Sequence, residues 1–446
     1  METKESPEQH AELASIFDEF ESFTNLEHGG GAQTRHYRLE RMERWLGILG
    51  NPQQRFRAVH IAGSKGKGST AALIDAVLRA GGETVGRYTS PHIQSYRERI
   101  CIQGEPAPME LLLPILRVLR KEFRQTQIEY RPTTFEALTL AAFLCFAEAG
   151  LDRVVVETGL GGRLDATNLV LPELVVITPI ELEHTEYLGT TIAEIASEKA
   201  GIIKDGVPVV VAALRPEAGE VVRRRAEERA APLSFLAPRL KTLTRSAHIS
   251  GDLLKIELQD PELRIRTRLQ MRGRVQAQNA ALAALAVTEL MPELSTACIE
   301  AGLASARLPA RGELFLTAPP VMLDGAHTPD SANSVYETFG EVFPGRATLI
   351  FGAVEGKDIR GMLERLPEQF GRVIISRPGR FRPSNPEGIR ALCLSLGRDA
   401  ELIEEPHAAL AAARESGLPI LILGSFFLAG EFRPLLTAEE GASPCP

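Results

Sequence analysis

A glycine-rich turn carries two lysines and two kinds of hydroxyl side chain between an apolar run and a helical segment. It consists of Gly63, Ser64, Lys65, Gly66, Lys67, Gly68, Ser69 and Thr70. Glycines let backbone N–H groups converge on phosphate oxygens, and the start of a helix adds positive potential. The turn does not match the GxxxxGK[ST] pattern literally, but we expect Lys67 to reach terminal phosphates and Ser69 to face magnesium. The alternative is an ordinary solvated turn.

Two further residues suited to metal binding follow apolar runs typical of buried strands. Glu157 comes directly after the run at 154–156, and His184 follows the run at 174–177. The carboxyl ends of parallel strands line the ligand crevice, and magnesium prefers oxygen ligands next to phosphate. The alternative for Glu157 is that it caps the next turn or pairs with Arg163. The alternative for His184 is that it is a structural hydrogen-bonding residue, as most lone histidines are.

Short apolar runs alternate with helical segments along most of the chain, which indicates an α/β fold with parallel sheets. In the first half, strands are predicted over 58–62, 154–156, 174–177 and 207–211. Residues 254–269 alternate apolar and polar side chains around Asp260-Pro261, which predicts a small antiparallel hairpin. A second, Rossmann-like α/β domain is indicated by strands predicted over 321–323, 348–351, 373–376 and 420–423.

These patterns predict three parts of the chain. They are an acidic N-terminal segment (1–33), a central P-loop domain with a parallel sheet and the hairpin (34–304), and a C-terminal domain (305–446). In the first part, Ile16, Phe17, Phe20 and Phe23 fall at helical spacing. We expect a short amphipathic helix and then a flexible joint at Gly29–Gly31, and a disordered tail is the alternative.

The composition is that of an ordinary soluble globular protein. The 446 residues include 50 Lys and Arg against 58 Asp and Glu, and the formal net charge of −8 argues against nonspecific nucleic-acid binding. The five cysteines lack CxxC spacing, which favours a reducing compartment. Neither a signal peptide nor an apolar run of roughly 18–20 residues is visible. We expect a cytoplasmic monomer without membrane or nucleic-acid partners.

Several motifs, in order, resemble those of folylpolyglutamate synthase and dihydrofolate synthase, the folate branch of the Mur ligase superfamily. The resemblance is carried by residues 37–42, 49–53, 63–70, 90–92, 97–100, 134–139, 157–168, 183–185, 198–202, 324–327 and 424–427. Members of this family activate a carboxylate with ATP and let the amine of glutamate displace phosphate. The resemblance therefore implies ATP, L-glutamate and a folate or pterin acceptor as small-molecule partners.

The resemblance also implies roles for individual residues. The implied magnesium ligands are Ser90, Glu157, His184 and Lys199, the last as a carbamylated lysine holding a second Mg2+. The implied catalytic residues are Lys67, Lys199, His184 and Arg311. The glycine-rich turn would hold the nucleotide together with Asn279, Arg311, Asp324 and His327. The acceptor would lie near Thr134, Phe135, Glu136, Gly161, Gly162, Arg163 and Asp165. Without this context, Lys199 reads as a surface lysine paired with Glu194 or Glu198.

The chain departs from the family pattern at four positions. Lys65 replaces an asparagine, Glu183 an aspartate, Ala310 a glycine, and Thr328 an asparagine. None of these changes removes an implied metal ligand, but Ala310 stands where unusual backbone angles are expected. We favour an ATP-dependent ligase that adds L-glutamate to dihydropteroate, to tetrahydrofolate or to both. The alternatives are a Mur-type ligase for another acceptor such as a peptidoglycan precursor, a P-loop nucleotide-binding protein that forms no amide, and a catalytically silent relative.

Overall fold

The computed structural model describes residues 6–23, 39–379 and 382–442, and the chain divides into two compact units. Unit 1 contains the residues up to Thr242 with Ile256–Ile265 and Asn279–Leu303. Unit 2 contains Leu243–Lys255, Arg266–Gln278 and the residues from Ala304 onwards. The predicted joint at 29–31 and the motif residues 37 and 38 lie outside the described residues. The domain boundaries at 34 and 305 stay predictions.

Unit 1 is built on an eight-stranded sheet. Its strands are β1 (Arg57–Ala62), β2 (Val85–Tyr88), β3 (Ile100–Ile102), β4 (Glu105–Pro106), β5 (Arg153–Glu157), β6 (Pro172–Ile177), β7 (Val209–Val211) and β8 (Leu233–Phe235). Their spatial order is β4-β3-β2-β5-β1-β6-β7-β8. Pairing is parallel from β2 to β8 and antiparallel at β3 and β4. All positions of β5 and five of six in β1 are buried, as in a sheet covered on both faces.

Helices alternate with these strands. Up to residue 305 they are α1 (Pro7–Glu21), α2 (Leu39–Ile48), α3 (Lys67–Ala80), α4 (Met109–Gln125), α5 (Thr134–Ala149), α6 (Thr185–Leu188), α7 (Ile192–Ala200), α8 (Pro216–Glu228), α9 (Leu236–Arg239), α10 (Arg274–Leu290) and α11 (Thr296–Ser305). The helix predicted after the glycine-rich turn is α3, and the alternation of strand and helix confirms the predicted α/β class.

The predicted N-terminal amphipathic helix is confirmed as α1. It starts where sequence rules place a helix start, because Ser6 and Gln9 form a reciprocal capping box and Pro7 occupies the first turn. Its apolar side chains Leu13, Ile16, Phe17 and Phe20 are buried and join the same hydrophobic core as α4 and α5. The alternative of a disordered tail is therefore wrong for residues 7–21.

The predicted hairpin is confirmed, and a third strand joins it. The three strands β9 (Leu240–Ser246), β10 (Asp252–Leu258) and β11 (Leu263–Leu269) form a sheet in the order β11-β10-β9. Only four residues link β10 to β11, a length that permits only antiparallel pairing. The sequence did not predict β9, and none of its residues is buried, so it lacks the apolar alternation that marks the other two.

Unit 2 contains a second α/β sheet. Its strands are β12 (Glu313–Phe315), β13 (Val321–Leu323), β14 (Ala347–Phe351), β15 (Phe370–Ile375), β16 (Glu401–Leu402) and β17 (Ile420–Leu423). Their order is β12-β13-β17-β14-β15-β16, and all pairs except β12·β13 are parallel. The helices are α12 (Pro329–Val342), α13 (Ile359–Glu364), α14 (Pro386–Ser395), α15 (Pro406–Arg414) and α16 (Phe426–Ala442). Within the described part of the chain, no helix is long and apolar enough to cross a membrane.

Candidate active site

The candidate residues of unit 1 gather at one edge of its sheet. Strands β2, β5, β1 and β6 are consecutive neighbours and run parallel. Ser90 follows β2, Glu157 ends β5, Gly63 follows β1, and His184 lies in the segment after β6. Because neighbouring strands are about 4.8 Å apart, these carboxyl ends lie side by side along one edge, here called the strand-end crevice, which is the usual ligand position in an open parallel sheet.

The glycine-rich turn is held close to the segment that follows β6. The backbone N–H groups of Ser64 and Lys65 both donate to the carbonyl oxygen of Pro179, over 2.8 and 3.3 Å. Gly63 has a φ of +153°, and a Cβ on it would lie 1.8 Å from Oγ1 of Thr178. No side chain can therefore replace this glycine without displacing the strand end beside it.

Asn279, predicted from the resemblance as a nucleotide-binding residue, lies directly against this turn. Gly66 has a φ of +83° and a Cβ there would lie 2.5 Å from Oδ1 of Asn279. Gly66 also immediately precedes α3, so its left-handed backbone turns the chain into the helix. The predicted phosphate turn therefore stands at the N-terminus of a 14-residue helix with Asn279 at its side.

Two lysines converge on the backbone carbonyl of Gly63. The ammonium groups of Lys67 and Lys199 donate to this oxygen over 3.0 and 2.7 Å. Lys199 also donates to Oε1 of Glu183 over 2.7 Å, and its side chain is 1% exposed. Burial, reinforced by the charge of Lys67, lowers the pKa of Lys199 to about 8, although Glu183 acts in the opposite direction. A substantial neutral fraction of this amine therefore exists at mildly alkaline pH.

These contacts decide between the interpretations of Lys199 that its sequence neighbours left open. Lys199 is not a surface lysine paired with Glu194 or Glu198. Glu198 instead pairs with Arg163 over 2.9 Å, and Glu194 caps the start of α7. For Glu183, burial alone would raise the pKa, but the charges of Lys199 and Lys67 outweigh it and hold that pKa below its usual range. Glu183 therefore remains a carboxylate and accepts from Lys199.

Glu157 and Ser90 are joined directly. The backbone N–H of Ser90 donates to Oε2 of Glu157 over 3.0 Å, and Glu157 is buried. Arg163, the alternative partner of Glu157, pairs with Glu198. His184 precedes α6 with a φ of +45°, an uncommon backbone conformation for a residue other than glycine. Among the described residues, no three histidine, cysteine or acidic side chains form a group that could hold a metal ion.

Asp165 organises the loop after β5. Its Oδ2 accepts from the backbone N–H groups of Gly159 and Leu160, and its Oδ1 from that of Thr167, each over 3.0 Å. Burial raises the pKa of this carboxyl group, which these hydrogen bonds oppose. In this structure Asp165 therefore acts on its own loop. Next to it, Oγ1 of Thr167 lies 2.9 Å from Nε2 of the buried His60 in β1.

The buried His60 is expected to make the free energy of unfolding fall at acidic pH. Burial lowers its pKa from 6.5 to about 3, with a smaller effect from the charge of Lys204. Between these two values the unfolded chain binds a proton that the folded protein does not, so the free energy of unfolding falls as the pH drops below about 6.5. At about 1.36 kcal/mol per pH unit, the expected loss is about 2 kcal/mol on reaching about pH 5.

Urea denaturation of the wild type and of His60→Gln measures this effect. Glutamine retains a donor for Thr167 but does not titrate. The wild type should therefore lose about 2 kcal/mol more than the variant between about pH 6.5 and pH 5. Equal losses in both proteins would contradict the assignment.

The three predicted acceptor residues at the start of α5 contact different neighbours. Thr134 donates from Oγ1 to the carbonyl oxygen of Phe20 in α1 over 2.9 Å. Glu136 accepts two hydrogen bonds from Arg41 in α2, over 2.7 and 2.8 Å. Only Phe135 reaches the strand-end crevice, where a Cβ on Gly159 would lie 2.5 Å from its ring. The structure thus brings one of the three to the site and uses the other two to anchor helices.

The predicted acceptor residues Gly161, Gly162 and Arg163 pack on α6 and on the end of α7. A Cβ on Gly162 would lie 2.9 Å from the carbonyl oxygens of Glu198 and Lys199. The backbone N–H of Arg163 donates to the carbonyl oxygen of Glu198 over 2.7 Å, and a Cβ on Gly161 would lie 3.0 Å from Leu188. The loop after β5 and the segment carrying Lys199 are therefore one packed structure.

In unit 2, Arg311, Asp324 and His327, which are predicted to bind nucleotide, form one cluster. Asp324 follows β13 and accepts from the backbone N–H groups of Gly312 and Ala326, over 2.7 and 2.8 Å. Burial raises the pKa of Asp324, an effect that Arg311 opposes. The guanidinium group of Arg311 lies 4.4 Å from the centre of the Phe426 ring, and the His327 ring lies 5.3 Å from it. Phe426 was not among the predicted site residues, although its motif carried part of the resemblance.

Ala310, which stands where the family has glycine, has a φ of +51°. A left-handed backbone costs a residue with a Cβ roughly 1–2 kcal/mol, and glycine avoids this cost while losing about 0.5–1 kcal/mol of chain entropy. We therefore expect Ala310→Gly to raise the free energy of unfolding by about 0.5 kcal/mol, with a small rise in Tm by calorimetry. Ala306→Gly, at a buried position without a positive φ, should lower Tm. A lower Tm in both variants would contradict strain at 310.

The sequence did not predict two residues that contact the site beside the glycine-rich turn. Glu183 was noted only as a departure, but it is the ion-pair partner of Lys199. Thr178 was passed over, but it sets the close approach at Gly63. Thr178 lies directly after a predicted strand and Glu183 in the same segment beyond it, and that position is the signal that could have found them.

The fold and the strand-end site define a class of protein. Residues 61–287 match the family model of the Mur ligase middle domain, which covers the glycine-rich turn, Glu157, His184 and Lys199. Residues 310–426 match the Mur ligase glutamate ligase domain, which covers Arg311 and Asp324. The chain is therefore assembled from the two domains of a Mur ligase.

Comparison with individual proteins narrows this class. The chain is 41% identical over 337 residues to the dihydrofolate synthase/folylpolyglutamate synthase of Bacillus subtilis, covering 74% of this chain and 78% of that protein. It is 34% identical over 406 residues to folylpolyglutamate synthase of Lacticaseibacillus casei, covering 88% and 92%. The chain belongs to the folylpolyglutamate synthase and dihydrofolate synthase family.

A solved structure extends the likeness over nearly the whole chain. The folylpolyglutamate synthase of Mycobacterium tuberculosis, complexed with ADP and AMPPCP, superposes with a TM-score of 0.85 at 30% identity. The superposition covers 96% of this chain and 99% of that one. The α/β architecture predicted for both domains is therefore confirmed.

Proposed function

We propose that this chain uses ATP and magnesium to join L-glutamate to the carboxylate of dihydropteroate, of a reduced folate, or of both. One observation carries the proposal. Four neighbouring parallel strands end at one edge with the glycine-rich turn, Glu157 and His184, and the buried Lys199 closes that edge by binding Gly63. The buried Lys199 distinguishes this edge from that of a P-loop nucleotide-binding protein, whose magnesium is held by a hydroxyl and a carboxylate.

The reaction divides into two displacements. An oxygen of the acceptor carboxylate attacks the γ-phosphorus of ATP, the bond to the bridging oxygen breaks, and ADP leaves. The amine of glutamate then attacks the acyl carbon, the bond to the phosphate oxygen breaks, and phosphate leaves as the nitrogen loses a proton. Phosphoryl transfer depends chiefly on positioning and on neutralising charge. The backbone N–H groups at the start of α3 and the ammonium of Lys67 would supply both.

The residues at the strand ends suit magnesium. Mg2+ typically binds one or two protein carboxylates and fills its other positions with phosphate and water oxygens, which fits a site with one carboxylate, Glu157, beside a phosphate turn. Ser90, Glu157 and His184 would hold one ion, and a carbamate on Lys199 would help to hold a second. Bound magnesium would neutralise negative charge on the phosphates. The buried, low-pKa amine of Lys199 supports the carbamate, because carbamylation requires a neutral amine.

Roles on the acceptor side follow from the packing. Phe135 offers an aromatic face at the crevice, and the loop Gly161–Arg163 forms the adjacent wall. Thr134, Glu136 and Asp165 act there by holding backbone in place. Arg311, Asp324 and His327 are proposed as the contribution of unit 2 to nucleotide binding. We infer that the protein acts in the cytoplasm as a monomer.

The proposed acceptors are supported by relatives whose names carry both activities. The Escherichia coli FolC structure in complex with DHPP and ADP matches with a TM-score of 0.80 at 28% identity, which supports a pterin acceptor. The test is ADP release from Mg-ATP and L-glutamate with dihydropteroate, with tetrahydrofolate, or with no acceptor. Release with either acceptor supports the proposal. Release with neither would reject it in favour of another Mur-type acceptor.

A further inference from the structure

We propose that helix α1 is a positioning element of the acceptor side of the site and that Phe17 is its principal positioning residue. This inference rests on the proposed ligase function. The helix lies outside both matched domain models, which begin at residue 61 and residue 310. It nevertheless contacts both segments that flank Glu157, namely the loop after β2 and the start of α5.

The first contact reaches the loop after β2. The ring of Phe17 stacks on that of Tyr96 with centroids 4.5 Å apart and planes 24° apart. Tyr96 in turn lies 4.2 Å from the ring of His92, whose Nδ1 accepts from Nε of Arg99 over 3.0 Å. His92 is two residues from Ser90, whose backbone holds Glu157. Phe17 is thus connected to the carboxylate at the end of β5 through packed rings and a short piece of chain.

The second contact reaches the start of α5. The carbonyl oxygen of Phe20 accepts from Oγ1 of Thr134 over 2.9 Å, and Thr134 is buried. The next residue, Phe135, packs on Gly159 at the other side of Glu157 and lies 6.0 Å from the ring of Tyr88. One turn of α1 therefore fixes two segments that approach the crevice from different parts of the sequence.

Helix α1 is held by two kinds of contact, exposed ion pairs with α4 and the buried ring of Phe17. Glu12 pairs with Arg117, and Glu19 with Arg124, across exposed faces of α1 and α4. Exposed pairs of this kind contribute little stability. Phe17 instead combines burial, at 4% exposure, with the ring contact to the loop. Losing the ring should free the loop after β2, while loss of an ion pair should not.

The test compares Michaelis constants for ATP and for the acceptor in the full-length protein. The acceptor is dihydropteroate or tetrahydrofolate, whichever supports ADP release by the wild type. In Phe17→Ala we expect the KM for the acceptor to rise about tenfold while the KM for ATP changes less than about twofold. The reason is that Phe17 holds α1 in place and α1 fixes the start of α5 through Thr134, whereas the glycine-rich turn packs on Thr178, Pro179 and Asn279. Phe17→Tyr keeps the stacked ring and should restore the wild-type KM. Glu12→Gln loosens the same helix without touching Tyr96 and should behave as wild type.

Each outcome decides the proposal. Equal rises in both KM values, or a drop in kcat alone, would indicate general destabilisation and overturn it, as would an unchanged acceptor KM in Phe17→Ala. If Phe17→Ala does not fold, Phe17→Leu keeps the apolar burial without the aromatic face, and a selective rise in acceptor KM is then required. An inactive wild type would reject the proposed ligase function, whereas an active wild type with unaffected Phe17 variants would reject only the role of α1.

Discussion

Replacing Lys199 with alanine is expected to lower turnover by about a thousandfold, the scale on which a preorganised charge at a reacting phosphate contributes. The physical reason is that its amine is buried, binds Gly63 at the centre of the strand-end crevice, and has a pKa of about 8. As a carbamate it would present oxygens where the unmodified side chain presents a single positive charge. ADP release under saturating substrates measures the change.

Chemical rescue of the Lys199→Ala variant distinguishes a carbamate on Lys199 from the positive charge of the unmodified lysine. Short carboxylic acids should restore part of the activity of Lys199→Ala, because they return oxygens to the space left by the side chain. Lys199→Arg retains the charge but forms no carbamate, and it should be as inactive as alanine. Lys204→Met is a matched control, since Lys204 follows α7 and its ammonium group donates to the backbone and side-chain oxygens of Asn168. Full activity of Lys199→Ala without any added acid would exclude the carbamate.

Lys67→Ala has the second-largest expected effect, a loss of about a hundredfold to a thousandfold in kcat/KM for ATP. Lys67 is the first residue of α3, and its ammonium group donates to the carbonyl oxygen of Gly63. With ATP bound, we expect it to exchange this neutral acceptor for phosphate oxygens, which attract it more strongly.

The control for this prediction is Lys65→Ala in the same turn. Lys65 uses its backbone N–H to bind Pro179, and that contact survives the substitution. We therefore expect a loss of less than about tenfold. Similar losses at 65 and 67 would show that only the total charge of the turn matters, and would contradict a specific role for Lys67.

Much of the site was predictable from the sequence because it depends on strand ends. Glycines, lysines and a carboxylate directly after apolar runs indicate a crevice, since parallel strands end at a common edge. The partner of Lys199 was not predictable in this way. Glu183 and Lys199 meet only because the segment after β6 and the end of α7 both reach Gly63. Glu194 and Glu198 are closer to Lys199 in sequence and fitted the sequence pattern equally well.

The acceptor side shows where motif reasoning stops. Thr134, Phe135 and Glu136 are consecutive at the start of α5, and successive helical residues face directions about 100° apart. They therefore cannot all reach one ligand, and the structure assigns only Phe135 to the crevice. By contrast, the positive φ of Ala310 was predictable. The family pattern places a glycine at this position, which indicates a left-handed backbone, and the alanine keeps that conformation.

The most direct test of the central claim follows one oxygen atom. If the acceptor carboxylate attacks ATP and glutamate then displaces phosphate, one carboxylate oxygen must leave with the phosphate. Dihydropteroate labelled with 18O in its carboxylate, incubated with Mg-ATP and L-glutamate, should yield inorganic phosphate carrying one 18O atom, detected by mass spectrometry. Phosphate without label, formed together with the amide product, would contradict the acyl-phosphate mechanism.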